Sequence, residues 1–185
     1  MTEMNWMTAQ VNRDLFTVCP KCGARALKPS GQYSYYCPEC DFEFYMNVAA
    51  AAAALIPDTE GNLLVAVRGR EPQKGTYDLP GGFMDPGETA EEAIAREIKE
   101  ELNLKIICTE YFLSRPNRYL YKGVVYATID AAFICHVEDF SCMKAMDDID
   151  NVVRIPVPDL DVSRFGFESI RAIVQAFLDY HTRNA

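Results

Sequence analysis

A mixed α/β domain (α+β in class), preceded by a small cysteine-built zinc ribbon, is the fold that this 185-residue sequence predicts. Three observations carry the prediction. Four of the seven cysteines fall within residues 16–45 as two Cys-x-x-Cys pairs. From about residue 46 onward, short apolar runs rich in strand-forming residues are separated by turn signals. Within that region, Thr89 to Asn103 has both the start signal and the periodicity of an amphipathic helix. A hydrophobic content of 49% and a charged content of 24% supply an ordinary globular core and exclude a wholly disordered chain.

Residues 1–15 show no periodicity and are expected to form an arm, with Trp6 and Phe16 as the side chains able to pin it. They carry Glu3 early and no apolar stretch of the secretory type. Nowhere does the sequence reach the roughly 18 uninterrupted apolar residues of a membrane span. The expectation is therefore a cytoplasmic protein with reduced thiols and no membrane partner. A net charge of −9 argues against non-specific nucleic-acid binding, which needs a basic footprint.

Residues 16–45 are dense in turn residues, with Pro20, Gly23, Pro29, Gly31 and Pro38. Cys19 and Cys22 form one pair and Cys37 and Cys40 the other, with 14 residues between them. Each pair can place two thiolates on one ion from a tight turn, so the four predict a tetrahedral Zn²⁺ site. A redox dithiol is the alternative for a single pair, and duplication favours metal. The stretch holds three basic and three acidic side chains, so a structural role outweighs nucleic-acid recognition.

The main domain is expected over residues 46–185. Its first run, residues 48–56, is six alanines flanked by Val48 and by Leu55-Ile56. Alanine favours helix intrinsically, yet Pro57-Asp58 and Gly61-Asn62 mark a turn that leads into the apolar run 63–67. Two antiparallel strands joined by a turn are expected, with a helix over the alanines as the alternative. Residues 76–81 lead as a strand into the helix Thr89–Asn103, where Thr89 and Glu92 have the spacing of a capping box. Further strands are expected near 106–113, 125–137 and 152–156. Ile170, Ile173, Val174, Phe177, Leu178 and His181 then recur at helical spacing.

At 100° per residue, Glu97, Glu100 and Glu101 fall within about a 100° arc of the central helix, beside an apolar stripe of Ile94, Ile98 and Leu102. Carboxylates crowded on one arc repel each other. Hard divalent cations such as Mg²⁺ or Mn²⁺ would relieve that repulsion. On spacing alone, a solvated acidic face is about as good an explanation.

The wider pattern decides between them. Gly82, five residues, Glu88, seven residues, then the run Arg96 to Leu104 resembles the Nudix box, GX5EX7REUXEEXGU with U aliphatic. Every defined position matches except the late glycine, which is Asn103; asparagine is the next-best residue for the left-handed backbone a helix end requires. The resemblance implies the Nudix fold, a mixed sheet sandwiched between helices, and hydrolysis of a nucleoside diphosphate linked to another group. It implies Glu97, Glu100 and Glu101, with the Gly81 carbonyl, as ligands of catalytic Mg²⁺ or Mn²⁺. Glu88 and Arg96 would orient those ligands. A distal acidic residue also occurs in several relatives, which singles out Asp148, with Asp147 as its rival.

A zinc ribbon ahead of such a domain is similar to the arrangement in NADH pyrophosphatases. Of their SQPWPFP-like segment, residues 114–121 keep the serine and the proline. That stretch offers Arg115 and Arg118 to a phosphate and Tyr119 and Tyr121 to a base; an ordinary surface hairpin is the plain alternative. The implied partner is a small nucleotide substrate of the ADP-ribose, ADP-sugar or dinucleotide type. NADH pyrophosphatase activity and a nucleotide-binding regulator without turnover are the alternatives. Many relatives pair, so a homodimer is compatible with the resemblance. Cys108, Cys135, Cys142, His136 and His181 receive structural readings. The charge is localised: residues 85–101 net −5 and residues 138–150 net −4, which together make up the whole −9.

Overall fold

The computed structural model describes residues 15–31, 33–146 and 149–184. Trp6 and nearly all of the expected arm lie outside the described residues. The chain forms two compact units, one from the described part of Met1–Val48 with Tyr119–Tyr126, the other from Ala49–Arg118 with Ala127–Ala185.

The first unit contains a three-stranded antiparallel sheet of β1 (Lys28–Pro29), β2 (Ser34–Cys37) and β3 (Phe42–Tyr45). Two tight turns carry the cysteine pairs. The first closes with the Gly23 N–H on the Cys19 carbonyl at 2.9 Å, and Gly23 there takes φ +77°, open to glycine without strain. The core is minimal: Cys19, Leu27, Tyr35 and Cys37, with Phe16 and Phe44 against them. Phe16 meets Tyr35 edge-on at 5.6 Å. So few buried side chains cannot hold a segment of this size by themselves.

The second unit is the mixed α/β domain. One sheet runs β10 (Ile149–Pro156), β5 (Asn62–Arg68), β6 (Tyr77–Asp78); the other runs β7 (Gly81–Phe83), β4 (Ala49–Leu55), β9 (Val124–Val137), β8 (Ile106–Tyr121). The helices are α1 (Ala90–Leu102) and α2 (Glu168–Asn184). Strand β4 is parallel to β9 and antiparallel to β7, so the sheet is mixed.

The alanine run is a strand, and its burial explains why. Ala52, Ala54 and Ile56 pack with Ile94, Ile98 and Leu102 of α1. Ala53 and Leu55 point the other way, to Ile170, Ile173, Val174 and Phe177 of α2. A strand buried on both faces needs no polar alternation, and tertiary packing here overrides the helical preference of alanine. The expected sandwich of a mixed sheet between helices is what forms.

The turn after this run is as expected, the pairing beyond it is not. Asp58 accepts from the backbone N–H groups of Glu60 and Asn62, both at 2.9 Å, and Pro57 bridges Leu63 in antiparallel fashion. Beyond that single bridge β4 and β5 part into different sheets. A local turn sets direction, whereas β5 finds better partners in β10 and β6. The strand expected at 106–113 also extends to Tyr121, making with β9 a hairpin closed by Lys122 and Gly123, both at positive φ. No helix among the described residues is long and apolar enough to cross a membrane.

Candidate active site

Helix α1 starts where its capping box says it should. The Thr89 hydroxyl accepts from the Glu92 N–H at 3.2 Å, and the Glu92 carboxylate accepts from the Thr89 N–H at 2.8 Å. It ends at Asn103, which takes the left-handed conformation (φ 55°, ψ 27°) that the sequence pattern requires there. Ala93, Ile94, Ile98 and Leu102 are buried, so the helix is docked along a fixed stripe. The acids lie beside this stripe, and Glu101 is itself buried.

Arg96 is the centre of the cluster. Its Nε donates to Glu88 Oε1 at 2.7 Å and its Nη2 to Glu88 Oε2 at 3.0 Å, a bidentate pair. Nη1 donates to Glu97 Oε1 at 2.8 Å and to Glu100 Oε2 at 3.2 Å. Nη2 also donates to the Phe83 carbonyl at 3.0 Å. These bonds engage every donor a guanidinium has. The two hydrogen bonds from Arg96, and one from the Asp85 N–H, hold the Glu88 carboxyl down at about 2. The same carboxylates raise Arg96 further above its ordinary range.

The glycines set the other wall. Glu101 is 8% exposed, and its Oε2 accepts from the Gly81 N–H at 2.9 Å. A Cβ on Gly81, at φ +139°, would sit 2.1 Å from the Ala52 carbonyl oxygen. A Cβ on Gly82 would sit 2.5 Å from Glu97 Oε1. Gly82 therefore leaves a notch filled by the Glu97 carboxylate.

Could these groups hold a divalent cation? Glu88, Glu97, Glu100 and Glu101, with Asp85 at 4.0 Å from Arg96, outnumber the one guanidinium among them. They are hard oxygen donors on rigid elements, and Gly82 keeps room at Glu97, so the donor set suits Mg²⁺ or Mn²⁺. Among the described residues, however, only Cys19, Cys22, Cys37 and Cys40 bring their ligand atoms together within 4.8 Å. Arg96 and the Gly81 N–H hold the carboxylates instead.

The four thiols fit zinc closely. Cys19 and Cys40 Sγ lie 3.8 Å apart and Cys22 and Cys37 Sγ 3.7 Å apart. Zn–S bonds of about 2.3 Å in a tetrahedron place sulfurs about 3.8 Å apart. Burial would raise Cys19, but the Cys22 and Lys21 N–H groups outweigh it and bring the thiol down to about 7. Burial pushes Cys40 up to about 12.

The remaining expected site residues are not gathered. Asp147 and Asp148 lie outside the described residues. Arg115, Arg118, Tyr119 and Tyr121 are all on β8, where strand alternation turns Arg118 away from the other three. Arg115 donates to the neighbouring Ser114 carbonyl at 2.9 Å, and Tyr119 and Tyr121 pack ring to ring at 6.2 Å. Arg118 belongs to the second unit and both tyrosines to the first.

One group was missed by the sequence pattern. Asp78, just before the box, is 13% exposed and accepts from Arg68 Nη1 at 2.6 Å. Burial pushes its carboxyl up to about 6 in spite of Arg68, and Asp130 adds to the rise. Asp130 is itself buried and bonded to the Ser169 hydroxyl. A lone acid between the apolar Tyr77 and Leu79 was the available signal.

Comparison with known proteins agrees with this geometry. A family model described as NUDIX domain matches residues 46–162. A protein of Stutzerimonas stutzeri (strain A1501) named NAD-capped RNA hydrolase NudC is 30% identical over 97 residues, 52% of this chain and 34% of that protein. Its namesake from Deinococcus radiodurans is 35% identical over 103 residues, 53% of this chain and 36% of the relative. The chain thus spans about a third of the length of the curated relatives it matches. Among solved structures, a NUDIX hydrolase from Nitrosomonas europaea superimposes with a TM-score of 0.71 at 22% identity, covering 90% of this chain and 93% of that one. The NUDIX domain of Shewanella oneidensis NrtR, solved in complex with ADP ribose, gives 0.58 at 18% identity, covering 76% and 91%. At such identities these two structures speak for the fold.

Proposed function

The chain belongs to the Nudix family, and from that premise we propose that it is a metal-dependent pyrophosphohydrolase acting on a nucleoside diphosphate linked to another moiety, of the ADP-ribose, ADP-sugar or dinucleotide type. The observation that carries this reading is the set of box carboxylates, Glu88, Glu97 and Glu100 gathered on Arg96 and Glu101 held by the Gly81 N–H. A protein that merely bound nucleotides would have no use for so much uncompensated negative charge. In this reading Glu97, Glu100 and Glu101, with the Gly81 carbonyl, hold Mg²⁺ or Mn²⁺, and Glu88 and Arg96 position them. Cations held there would supply charge neutralisation for the pyrophosphate and a more acidic bound water. The box carboxylates, or the distal Asp148 with Asp147 as its rival, take the proton or hold the water in line.

The substrate class is supported by what the relatives are called. The ADP ribose bound by the Shewanella domain is a nucleoside diphosphate carrying a sugar. The name NAD-capped RNA hydrolase favours a second, narrower reading, a substrate with an NAD-type dinucleotide. Of the β8 candidates, Arg115 is proposed to meet its phosphate; Arg118, Tyr119 and Tyr121 remain separate candidates rather than one subsite. We assign residues 1–15 to an arm, 16–45 to a structural zinc ribbon and 46–185 to the hydrolase domain. A reducing, cytoplasmic setting would keep the four ribbon thiols available to metal.

The decisive experiment incubates the chain with Mg²⁺ or Mn²⁺ and NADH, ADP-ribose, diadenosine polyphosphates or nucleoside triphosphates, and identifies the products. Release of AMP from ADP-ribose or NADH is the expected result. Binding of ADP-ribose without release of AMP would mark the chain as a regulator instead.

Two further outcomes follow from the geometry. Arg96→Lys keeps the charge but has no planar fork to span Glu88, Glu97 and Glu100. It should weaken Mn²⁺ affinity by about 10–100-fold, as read by metal titration. Chelation of zinc should release amide protection across residues 19–45 and leave α1 and β4 protected, as measured by hydrogen exchange, because the first unit has almost no core of its own.

A further inference from the structure

Two cysteines outside both sites are brought face to face by the β8–β9 hairpin. Just past the strand ends, the Glu138 N–H donates to the Lys105 carbonyl at 3.0 Å, and Lys105 Nζ meets Glu138 Oε2 at 3.0 Å. Lys105 and Glu138 are therefore opposite one another at a hydrogen-bonded position of an antiparallel ladder. Stepping inward, Ile106 faces Val137, Ile107 faces His136, and Cys108 faces Cys135. The alternation of the ladder makes Cys108 and Cys135 a non-hydrogen-bonded pair, in which Cα atoms approach to about 4.5 Å and side chains are closest. That separation is within the range a disulfide spans.

Ile106, Val137 and Cys135 all belong to the cluster beneath α1, and Cys108, two residues beyond Ile106, shares their side of β8. Further along, Tyr111 meets Phe133 edge-on at 5.8 Å while Phe112 meets Phe177 of α2 at 6.2 Å. Tyr111 thus takes the side that strict alternation from Cys108 would give to residue 110. One extra residue is accommodated between Ile106 and Tyr111, and Cys108 is near enough to Cys135 to raise its thiol.

The two thiols are unlike in access. Cys108 is exposed and Cys135 is buried. Cys135 donates weakly to the Phe133 carbonyl at 3.6 Å, and burial, with Cys108 beside it, pushes its thiol up to about 12.

We propose that Cys108 and Cys135 form an oxidation site in which a hydroperoxide converts the cross-strand thiol pair to an intrachain disulfide. The Cys108 thiolate attacks the peroxide; an S–O bond forms, the O–O bond breaks, and the departing hydroxide takes a proton to leave as water. The Cys135 sulfur then attacks the Cys108 sulfur. An S–S bond forms, the S–O bond breaks, and the leaving hydroxide takes the Cys135 proton as a second water. Two thiols lose two electrons and hydrogen peroxide gains them. Cys135 needs no solvent access, because its reaction partner is the neighbouring strand.

The test treats the zinc-loaded full chain with limiting hydrogen peroxide, blocks remaining thiols with an alkylating reagent, and maps peptides by mass spectrometry. The expected product is a peptide pair joined through Cys108 and Cys135, lost on addition of a thiol reductant. Cys108→Ser should abolish the crosslink and leave Cys135 a free thiol. With a second equivalent of peroxide, Cys135→Ala should let Cys108 run on through the sulfenic to the sulfinic acid, which a thiol reductant does not reverse. Accumulation of sulfinic acid at Cys108 in the unsubstituted chain would overturn the proposal. A disulfide between two chains through Cys108, or one from Cys108 to Cys142, would overturn it equally.

Discussion

Glu97→Gln is expected to abolish hydrolysis, lowering kcat by about 10²–10³-fold or more, the loss seen when one electrostatic stabiliser is removed from a phosphoryl or acyl transfer site. The substitution is nearly isosteric. The glutamine carbonyl can still accept from Arg96 Nη1, where Glu97 does so at 2.8 Å, and it still fits the notch over Gly82. What is lost is a negative charge at the face where cations would bind. The variant should therefore match the parent in circular dichroism and melting temperature while releasing no AMP from its substrate. Glu101→Gln should be as inactive but less stable. Glu101 is buried and accepts from Gly81, and a buried amide NH₂ in its place needs a new acceptor, at a cost of about 1–3 kcal/mol. Near-normal turnover by Glu97→Gln with Mg²⁺ would remove Glu97 from the site.

The second large effect separates two neighbouring glycines. Gly81→Ala should destabilise the domain by about 3 kcal/mol or more, since a non-glycine residue at such a φ costs about 1–3 kcal/mol before any clash. Its Cβ would also meet the Ala52 carbonyl oxygen, a backbone atom that cannot step aside. The Gly81–Ala53 register that joins β7 to β4 would go with it. Gly82→Ala meets only the far end of the Glu97 side chain, which can swing away. It should shift stability by less than about 1.5 kcal/mol, yet displace Glu97 and suppress catalysis. Urea denaturation combined with steady-state rates distinguishes the two. Equal stability losses would mean that the Gly82 notch has no special relation to Glu97.

What was legible beforehand follows a physical line. The capping box, the left-handed Asn103 and the apolar stripe of α1 are local features, set by residues three or four apart, and the structure agrees with each. The four ribbon cysteines come together as expected because the tight turns that bear them are local too. Long-range pairing was less legible. The separation of β4 from β5, the parallel partnership of β4 with β9, and the extension of β8 to Tyr121 depend on competing partners far away in sequence. Asp78 was passed over for the same reason, since its burial comes from elements that are not its neighbours.

By itself, the sequence determined the family, through Gly82, Glu88, the Arg96-Glu97 pair and Glu100-Glu101. It also determined where the negative charge sits, because chemistry that needs particular residues at fixed spacing is written linearly. Tertiary structure alone decided that Arg96 spends its whole fork on Glu88, Glu97, Glu100 and the Phe83 carbonyl, and that Gly81 binds Glu101. It also decided that the strands carrying Cys108 and Cys135 lie side by side. Each of these depends on which strand lies beside which, and that is settled by burying both faces of β4 under two helices rather than by any single stretch of chain.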